Sequence, residues 1–432
     1  MEKPYDVLVV GAGFGGIVAA RDLADRGHSV VVLEGGSRIG GRTYARPFKG
    51  QEHLTVELGG SWINRALQPN IRREVARYGV GVKPDVPPQN AAFITDGVRR
   101  PFPVPVAELP DLERAVFHLR DASKRIAPGQ PLSHQPLNDL DVSVEEFIGG
   151  LDLGPATTDL FYGLVAWYTG ADPRGVSVFG VIAQTAGFGH SPLGFYTGLN
   201  ERFVGGPGVL LQAMIDDAGL EVRLNHIVTQ VNQTDAGVTV RTQGGAVLEA
   251  RSCVMAVPTN VLRHIEFSPQ LDPRKAKLLA TDHLGRAYKG SYLVRNIPRR
   301  SFTLGTGKLH SLILGYECEN DMCVMVAFGD DKSLSDPLSR EQAESAVREF
   351  FPEADVLAVD AHDWCADPLF RGGYRVDPPG QALEFVRVMN QPEDRIAFAG
   401  TDLDDSVWRN WIDGAINSGQ AAADKVSEIL RR

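Results

Sequence analysis

The chain has 432 residues, of which 43% are hydrophobic and 23% charged, a globular balance that excludes an intrinsically disordered protein. This length exceeds one ordinary hydrophobic core, so it predicts two domains or one large two-lobed unit. The net charge of −10 argues against a nucleic-acid partner, because a polyanion would be repelled.

The first informative segment runs from Asp6 to Glu34. An apolar run predicts a buried strand, and it is followed by Gly11-Ala12-Gly13-Phe14-Gly15-Gly16, a helical segment and a second apolar run that ends at Glu34. In this pattern Gly11 makes the tight turn, Gly13 lets the backbone approach a pyrophosphate, and Gly16 lets the helix pack on the strand. The helix N-terminus would face the phosphates and the carboxylate the ribose diol. The segment therefore predicts a dinucleotide pocket without a 2′-phosphate.

The next part of the chain changes character. Residues 68–79 predict a helix, and the proline-rich residues 82–110 predict extended loops. Helical apolar spacing then recurs at residues 112–126, 144–149 and 157–167. We interpret residues 82–200 as a largely helical insertion.

From Glu201 the chain is predicted to return to the nucleotide-binding part. Strands are predicted at residues 220–224, 227–230, 238–240 and 253–258, and again at 289–294 and 322–328 after a second departure. A last strand at residues 395–400 precedes a closing helix at 414–430. The predicted fold is α/β: a Rossmann-like domain of residues 1–80, 201–284 and 392–432, and a substrate domain of mixed sheet and helices, residues 81–200 and 285–391.

Other site types find little support in the sequence. The four cysteines form no C-x-x-C pair and the histidines are scattered, so we expect neither disulfides nor a metal. No apolar stretch reaches the roughly 18–20 residues of a membrane helix, and residues 1–5 lead directly into the first strand, leaving no room for a secretory leader. A cytoplasmic protein without a membrane partner is expected.

The first motif fits both NAD and FAD. Three later segments distinguish FAD from NAD. They are Arg38-Ile39-Gly40-Gly41-Arg42, Glu57-Leu58-Gly59-Gly60-Ser61-Trp62-Ile63 and Ala399-Gly400-Thr401-Asp402. Together they resemble the flavin-dependent amine oxidases, the family of monoamine and polyamine oxidases, over essentially the whole chain. Residues 33–42, 141–142 and 362–370 resemble the 6-hydroxy-L-nicotine oxidase branch, which carries an asparagine after the tryptophan where this chain has Tyr168.

The resemblance implies non-covalent FAD. Arg38 and Arg42 would face phosphates or flavin carbonyls, the Gly59–Trp62 segment would run beside the isoalloxazine ring, Val228 would hold the adenine, and Asp402 would reach the ribitol or pyrophosphate. Some relatives bind flavin through a cysteine just before the slot tyrosine, where this chain has Gly373. The complete predicted set is Gly11, Gly13, Phe14, Gly16, Glu34, Gly35, Arg38, Gly41, Arg42, Gly59, Gly60, Ser61, Trp62, Val228, Gly400, Thr401, Asp402, Trp411, Ile412 and Ala415.

The resemblance also implies where chemistry occurs. Trp411 and Tyr374 match the two aromatic residues that face the flavin and leave a slot for the amine nitrogen. Lys289 resembles the lysine that holds a water against flavin N5 and assists reoxidation. Tyr168 and Tyr316 are predicted to line the substrate cavity.

The implied reaction converts a small primary or secondary amine to an imine by hydride transfer to flavin N5. Water then hydrolyses the imine, and O2 is reduced to H2O2. A 6-hydroxynicotine oxidase, a polyamine or diamine oxidase and a non-catalytic flavoprotein remain alternatives. An L-amino-acid oxidase would need an arginine for the carboxylate, for which Arg371 is a candidate. A homodimer is a family expectation.

Overall fold

The computed structural model describes residues 5–431. Residues 1–4, part of the segment on which the prediction of no leader depends, lie outside the described residues, as does residue 432 of the predicted nucleotide-binding domain. No helix within residues 5–431 combines the length and apolar composition needed to cross a bilayer. In the same range, no three His, Cys, Asp or Glu side chains are grouped to hold a metal ion.

The secondary structure alternates between strands and helices along most of the chain. The strands are β1 Tyr5–Val10, β2 Val30–Leu33, β3 Ala45–Phe48, β4 Gln51–Glu57, β5 Trp62–Ile63, β6 Val82–Pro84, β7 Asn90–Thr95, β8 Val98–Arg100, β9 Glu201–Phe203, β10 Glu221–Arg223, β11 Val228–Thr234, β12 Gly237–Thr242, β13 Val247–Met255, β14 Glu266–Ser268, β15 Ala287–Arg295, β16 Ser301–Gly305, β17 Ser311–Glu317, β18 Met322–Asp330, β19 Asp355–Ala361 and β20 Ile396–Phe398.

The helices include several of only one or two turns. They are α1 Phe14–Asp25, α2 Pro69–Tyr78, α3 Leu109–Ser123, α4 Val144–Ile148, α5 Pro155–Thr169, α6 Phe179–Gly187, α7 Gly194–Thr197, α8 Gly208–Ala218, α9 Thr259–Leu262, α10 Pro273–Leu278, α11 Arg340–Phe350, α12 Ala382–Met389 and α13 Ile412–Arg431. Short 3-10 helices lie at Val106–Glu108, Leu132–His134, Asn138–Leu140, Gly149–Leu151 and Thr401–Leu403.

The first large sheet has the strand order β10-β2-β1-β13-β12-β11-β14, with β20 also paired to β13. Strands β10, β2, β1 and β13 run parallel, as does β20 beside β13. Because both faces of a parallel sheet are covered, the central strands β1 and β2 are mostly apolar, and Val7, Leu8 and Val9 are fully buried. Helices α1 and α13 pack together beside this sheet, with Ile17 and Ile416 in one core.

The second large sheet has the order β19-β15-β18-β17-β16-β7-β8 and is mostly antiparallel. One sequence interpretation is corrected, because residues 82–110 contain β7 and β8 of this sheet, and β6 of a small sheet with β5 and β9, rather than loops alone. Strand β7 pairs in parallel with β16, so the segment completes the sheet beneath the helices. The prolines lie mainly between the strands or at their ends, where no ladder N–H is needed.

Helices α3 to α7 supply the rest of the segment that was interpreted as an insertion. They share one apolar core with Phe93 and Phe302 of the second sheet. The sequence did not predict α6, which is almost wholly buried and therefore lacks an alternating polar face. The predicted domain limits stay a prediction, although each large sheet draws its strands from separated parts of the chain.

Candidate active site

One continuous cavity extends from the glycine turn after β1 to an aromatic region under α5 to α7. It encloses about 2070 Å³ not filled by protein atoms, including its opening to solvent. Most predicted site residues line it: Gly11, Gly13, Phe14, Glu34, Gly35, Gly41, Arg42, Gly59, Gly60, Ser61, Trp62, Val228, Gly400, Thr401, Ile412, Ala415, Lys289, Tyr374, Trp411 and Tyr168. Gly16, Arg38, Asp402 and Tyr316 do not line it.

The glycine turn is held close to the neighbouring strand. Gly11 has φ +107°, and a Cβ there would lie 2.5 Å from the carbonyl oxygen of Ala256. A Cβ on Gly16 would lie 1.9 Å from the carbonyl oxygen of Gly11. Gly16 lies in the first turn of α1 and lets this helix pack closely against the glycine turn. Because it lies on the far side of that turn from the cavity, Gly16 does not line the cavity wall.

Glu34 closes β2 at the same end of the cavity. Its carboxylate accepts hydrogen bonds from the backbone N–H of Ala12 at 2.8 Å and of Gly36 at 2.7 Å. A carboxylate has about four lone-pair sites, so two remain for a diol. The two backbone bonds fix the carboxylate at the wall where a ribose would be recognised.

Arg42 and Asp402 form an ion pair at the edge of the cavity. The Arg42 guanidinium lies 2.8 Å from Oδ1 of Asp402 and donates to the carbonyl oxygen of Gly373 at 2.7 Å. Asp402 is buried and also accepts from the N–H and hydroxyl of Thr259, both at 3.1 Å. Burial raises the pKa of Asp402, but Arg42, the nearby His283 and the Thr259 N–H together outweigh it and keep the pKa below its usual range. Asp402 thus holds Arg42 without lining the cavity itself, and its contact with the ribitol or pyrophosphate stays a prediction.

The Arg38 side chain makes its hydrogen bonds within its own loop. Its guanidinium donates to the carbonyl oxygens of Gly41, Thr43 and Ile39 at 2.8, 3.0 and 3.2 Å. It also lies 3.9 Å from the ring centroid of Tyr44. Arg38 does not line the cavity, and its contact with phosphates or flavin carbonyls stays a prediction. Its hydrogen bonds instead order the loop that carries Gly41 and Arg42.

Lys289 lies at the aromatic end of the cavity. Its ammonium donates to the carbonyl oxygen of Gly59 at 2.5 Å and to the hydroxyl of Ser61 at 2.9 Å. The nitrogen is 4.8 Å from the ring centroid of Trp62 and 5.7 Å from that of Phe328. Burial lowers the pKa of Lys289 to about 7. This lysine therefore changes its charge near neutral pH.

Tyr374 and Trp411 line the same region from different segments. The Tyr374 hydroxyl is 3.5 Å from the carbonyl oxygen of Trp167, and burial raises the pKa of that phenol above its usual value. Trp411 directly precedes α13, and its indole N–H donates to Oε1 of Gln184. Its ring meets Phe188 edge-on, with centroids 6.0 Å apart.

The structure separates the two tyrosines predicted for the cavity wall. Tyr168, at the end of α5, lines the cavity, and burial raises the pKa of its phenol. Tyr316 does not line it, because its hydroxyl donates to the carbonyl oxygen of Thr55 at 2.9 Å and its ring packs near Phe48. The register of β17 shifts between Leu314 and Tyr316, so strict alternation along the strand does not place this side chain.

Sequence reasoning missed much of the apolar wall. The additional lining residues include Trp167, Phe188, Phe195, Leu199, Phe328 and Trp364. For Phe188 and Phe195 the sequence offers one local signal, their spacing after α6, the helix that was not predicted. Their contribution depends on the packing of distant segments, which a single sequence does not reveal.

The cavity fits a flavin dinucleotide on this chain's own features. One end has a glycine turn, a helix start and the carboxylate of Glu34, which suit a pyrophosphate and a ribose. The other end has a buried cation and aromatic rings, which suit a large planar heterocycle. The sequence profile of the family described as flavin containing amine oxidoreductase matches residues 14–427. The chain belongs to this family.

Individual relatives agree with the family. This flavin amine oxidase is 32% identical over 98% of its length to (S)-6-hydroxynicotine oxidase of Paenarthrobacter nicotinovorans, of which it covers 99%. It is 29% identical over 99% of its length to pseudooxynicotine dehydrogenase of a Pseudomonas species, covering 87% of that protein. It is also 26% identical to human amine oxidase [flavin-containing] B, over 100% of this chain and 87% of that one.

Solved structures confirm the predicted fold class. Putrescine oxidase superposes with a TM-score of 0.85 at 23% identity, over 99% of both chains. Cyclohexylamine oxidase from Brevibacterium oxydans gives 0.84 at 22% identity, over 100% of both chains. With the family match, the predictions of an enzyme, of FAD and of an amine substrate with oxygen as acceptor are confirmed at the level of the family.

Proposed function

We propose that this amine oxidase converts a small monoamine with a neutral cyclic, aromatic or alkyl group to its imine, which water hydrolyses to an aldehyde or ketone. The observation that carries the proposal is the aromatic chamber around Lys289, Tyr374 and Trp411, which is continuous with the glycine turn at Gly11. Bound FAD would supply flavin N5 as the hydride acceptor and pass two electrons to O2, giving H2O2.

The chamber selects the neutral form of the amine. Only an unprotonated nitrogen has the lone pair that drives oxidation, and an apolar wall disfavours a full positive charge. Tyr374 and Trp411 tolerate the partial positive charge that develops on nitrogen, since aromatic ring faces are electron-rich. The proposed roles of these two residues are to guide and orient the amine.

The proposed role of Lys289 belongs to the oxygen half of the cycle. Its contacts with Gly59 and Ser61 hold the ammonium beside the predicted flavin segment. A cation at that place favours transfer of electrons to O2, because negative charge develops on the oxygen. Lys289 would also hold a water molecule there.

The wall disfavours polyamines and diamines. Among the described residues that line the cavity, Glu34 is the sole acid, and two backbone N–H groups already bind it at the dinucleotide end. A distal ammonium would therefore be buried without a counter-ion, which is costly. This favours monoamines, whether primary or secondary.

A second candidate substrate is a hydroxylated pyridine alkaloid. Its support is the likeness to (S)-6-hydroxynicotine oxidase and pseudooxynicotine dehydrogenase. The phenol of Tyr168 in the wall presents a different hydrogen-bond pattern from the asparagine expected for that branch. We therefore rank the alkaloid second.

We further propose that FAD is held without a covalent bond. No cysteine is among the described residues that line the cavity, and Gly373 occupies the wall where covalent relatives would have one. A cytoplasmic location and a homodimer remain predictions from the sequence.

Anaerobic mixing of the purified yellow protein with separate amines tests the proposal. Cyclohexylamine or benzylamine should bleach the flavin absorbance, 6-hydroxynicotine should do so more slowly, and putrescine should have little effect. Denaturation should release all flavin into solution. Faster bleaching by putrescine than by any monoamine would overturn the substrate assignment, and a protein purified without flavin would overturn the function.

A further inference from the structure

Two amide side chains lie beside Trp411: Gln184 is buried and contacts the indole, and Asn410, which is half-buried, directly precedes Trp411. Gln184 lies four residues before Phe188 along α6, so both project from the same side of that helix. Oε1 of Gln184 accepts the Trp411 indole N–H, and the Phe188 ring meets the indole at 86°. Trp408 adds a second edge-on contact at 82°, with centroids 5.7 Å apart.

Asn410 connects the two aromatic residues through the backbone. It directly precedes Trp411 and has φ +73°, a left-handed conformation that asparagine tolerates better than most residues. Its Nδ2 donates to the carbonyl oxygen of Arg375 at 2.9 Å, and Arg375 directly follows Tyr374. One hydrogen bond therefore links the segment of Trp411 to the segment of Tyr374.

Neither amide is explained by stability alone. Gln184 is fully buried, yet its Nε2 has no hydrogen-bond partner among residues 5–431. The Oδ1 atom of Asn410 is likewise buried and unpaired. Burying an unpaired polar atom is unfavourable, so an apolar side chain at position 184 would avoid that cost. What these polar side chains supply, and an apolar one cannot, is a directed bond to the indole N–H or to the Arg375 carbonyl.

We propose that Gln184 and Asn410 are positioning residues that hold Trp411 and Tyr374 as a preorganised pair for the amine. The inference rests on the proposed function, because it assigns these amides a role only through that aromatic pair. Removing either bond lets an aromatic ring leave its reactive orientation, and small misplacements of this kind reduce catalysis strongly.

A double-mutant cycle on the rate of anaerobic flavin reduction at saturating amine tests the role of Gln184. Gln184→Met should slow reduction about tenfold, less than the roughly hundredfold cost that a 1 Å misplacement can have. Trp411→Phe, which has no N–H to donate, should also slow it. In the Trp411→Phe background, Gln184→Met should cause no further loss, because the bond is already absent. Gln184→Glu, which keeps an acceptor oxygen, should keep most of the wild-type rate of flavin reduction.

Gln68 provides a matched control for the loss of a buried amide. It is also fully buried, its Oε1 accepts one N–H, from Asn64, and its Nε2 is unpaired. It does not line the cavity. Gln68→Met should therefore change the melting temperature about as much as Gln184→Met while leaving flavin reduction unchanged.

Asn410→Gly tests the second bond, since glycine keeps the left-handed backbone and removes the amide. We expect about tenfold slower reduction, as for Gln184→Met. Asn320, at φ +58° in the turn between β17 and β18, is the matched control, and Asn320→Gly should have no effect.

The outcomes distinguish this inference from the proposed function. Normal reduction in Trp411→Leu together with Tyr374→Leu, which remove both aromatic rings, would overturn the aromatic pair itself. Slow reduction in Trp411→Phe with a normal rate in Gln184→Met and Asn410→Gly would overturn only the positioning roles. If Gln184→Met lowers the reduction rate by the same factor in the wild type and in Trp411→Phe, Gln184 acts independently of Trp411. That result would also contradict the proposal.

Discussion

At the scale of single residues, the charge of Lys289 is the property most sensitive to conditions. The ammonium is bound by Gly59 and Ser61 yet is shielded from water, and burial lowers its pKa to about 7. It is mostly protonated below that pH and mostly neutral above it. A role in reoxidation that needs the cation must therefore weaken as pH rises through about 7.

Stopped-flow reoxidation of the reduced enzyme by O2 checks this prediction. The rate of the wild-type enzyme should fall as pH rises from about 6 to 8, the interval around the lowered pKa. Lys289→Met should be slow at every pH, because the cation is absent. Lys289→Arg keeps its charge throughout this range and should lose the pH dependence. A wild-type rate that rises with pH would contradict the assignment.

The candidate site could be predicted best where a residue's role is local. Gly11, Glu34 and Lys289 line the cavity as the sequence indicated, because each lies in a turn or strand whose geometry neighbouring residues set. Arg38 and Asp402 do not line the cavity, because their side chains bind other groups, and the sequence does not show which groups these are. Arg38 is taken up by backbone carbonyls, and Asp402 by Arg42 and Thr259.

At the scale of elements, the β1–α1 turn tolerates little change, because its glycines pack tightly against backbone atoms. A Cβ on Gly16 would lie 1.9 Å from the Gly11 carbonyl oxygen, which is backbone and cannot move aside cheaply. We expect Gly16→Ala to displace the start of α1 and to lower the flavin content of the purified protein severely.

Gly208 supplies the control for this prediction. It begins α8, and a Cβ there would meet nothing within 4 Å. Gly208→Ala should keep full flavin content and leave the melting temperature unchanged or slightly raised, since alanine favours helix. Flavin absorbance per mole of protein, with the melting temperature, measures both variants. Full flavin content in Gly16→Ala would refute the packing argument.

The same scale shows why some elements escaped prediction. The β1-α1-β2 unit has strand, turn and helix signals in one short stretch, and the structure forms it as predicted. Strands β7 and β8 lie among prolines that suggested loops, and they become strands by pairing with β16 and with each other. Helix α6 is buried on all sides, so its sequence has no polar face to reveal its period.

At the scale of the whole molecule, the cavity joins the two large sheets. Gly11 and Glu34 contribute from the ends of β1 and β2, whereas Lys289 and Phe328 contribute from β15 and β18. A ligand that reaches both ends should therefore stabilise both parts together. Free ligand at about a thousand times its dissociation constant adds about 4 kcal/mol to the free energy of unfolding.

Thermal unfolding of deflavinated protein checks this coupling. FAD should raise the melting temperature strongly. FMN should raise it much less, because it lacks the adenylate that the Gly11 and Glu34 end would hold. The test is a titration of each flavin against the same apoprotein, with heated FAD-free samples as the baseline. Equal stabilisation by FMN and FAD would show that the glycine turn contributes nothing to binding.

The pairing of β13 with both β1 and β20 has a consequence for biosynthesis. Residues 5–10, 247–255 and 396–398 lie side by side in one sheet although nearly the whole chain separates the first from the last. During translation, the last strand, β20, and the helix α13 that covers the sheet are made last, so the sheet stays incomplete until synthesis is nearly finished. FAD binding must therefore follow synthesis. A polypeptide truncated before residue 396 lacks a complete FAD site.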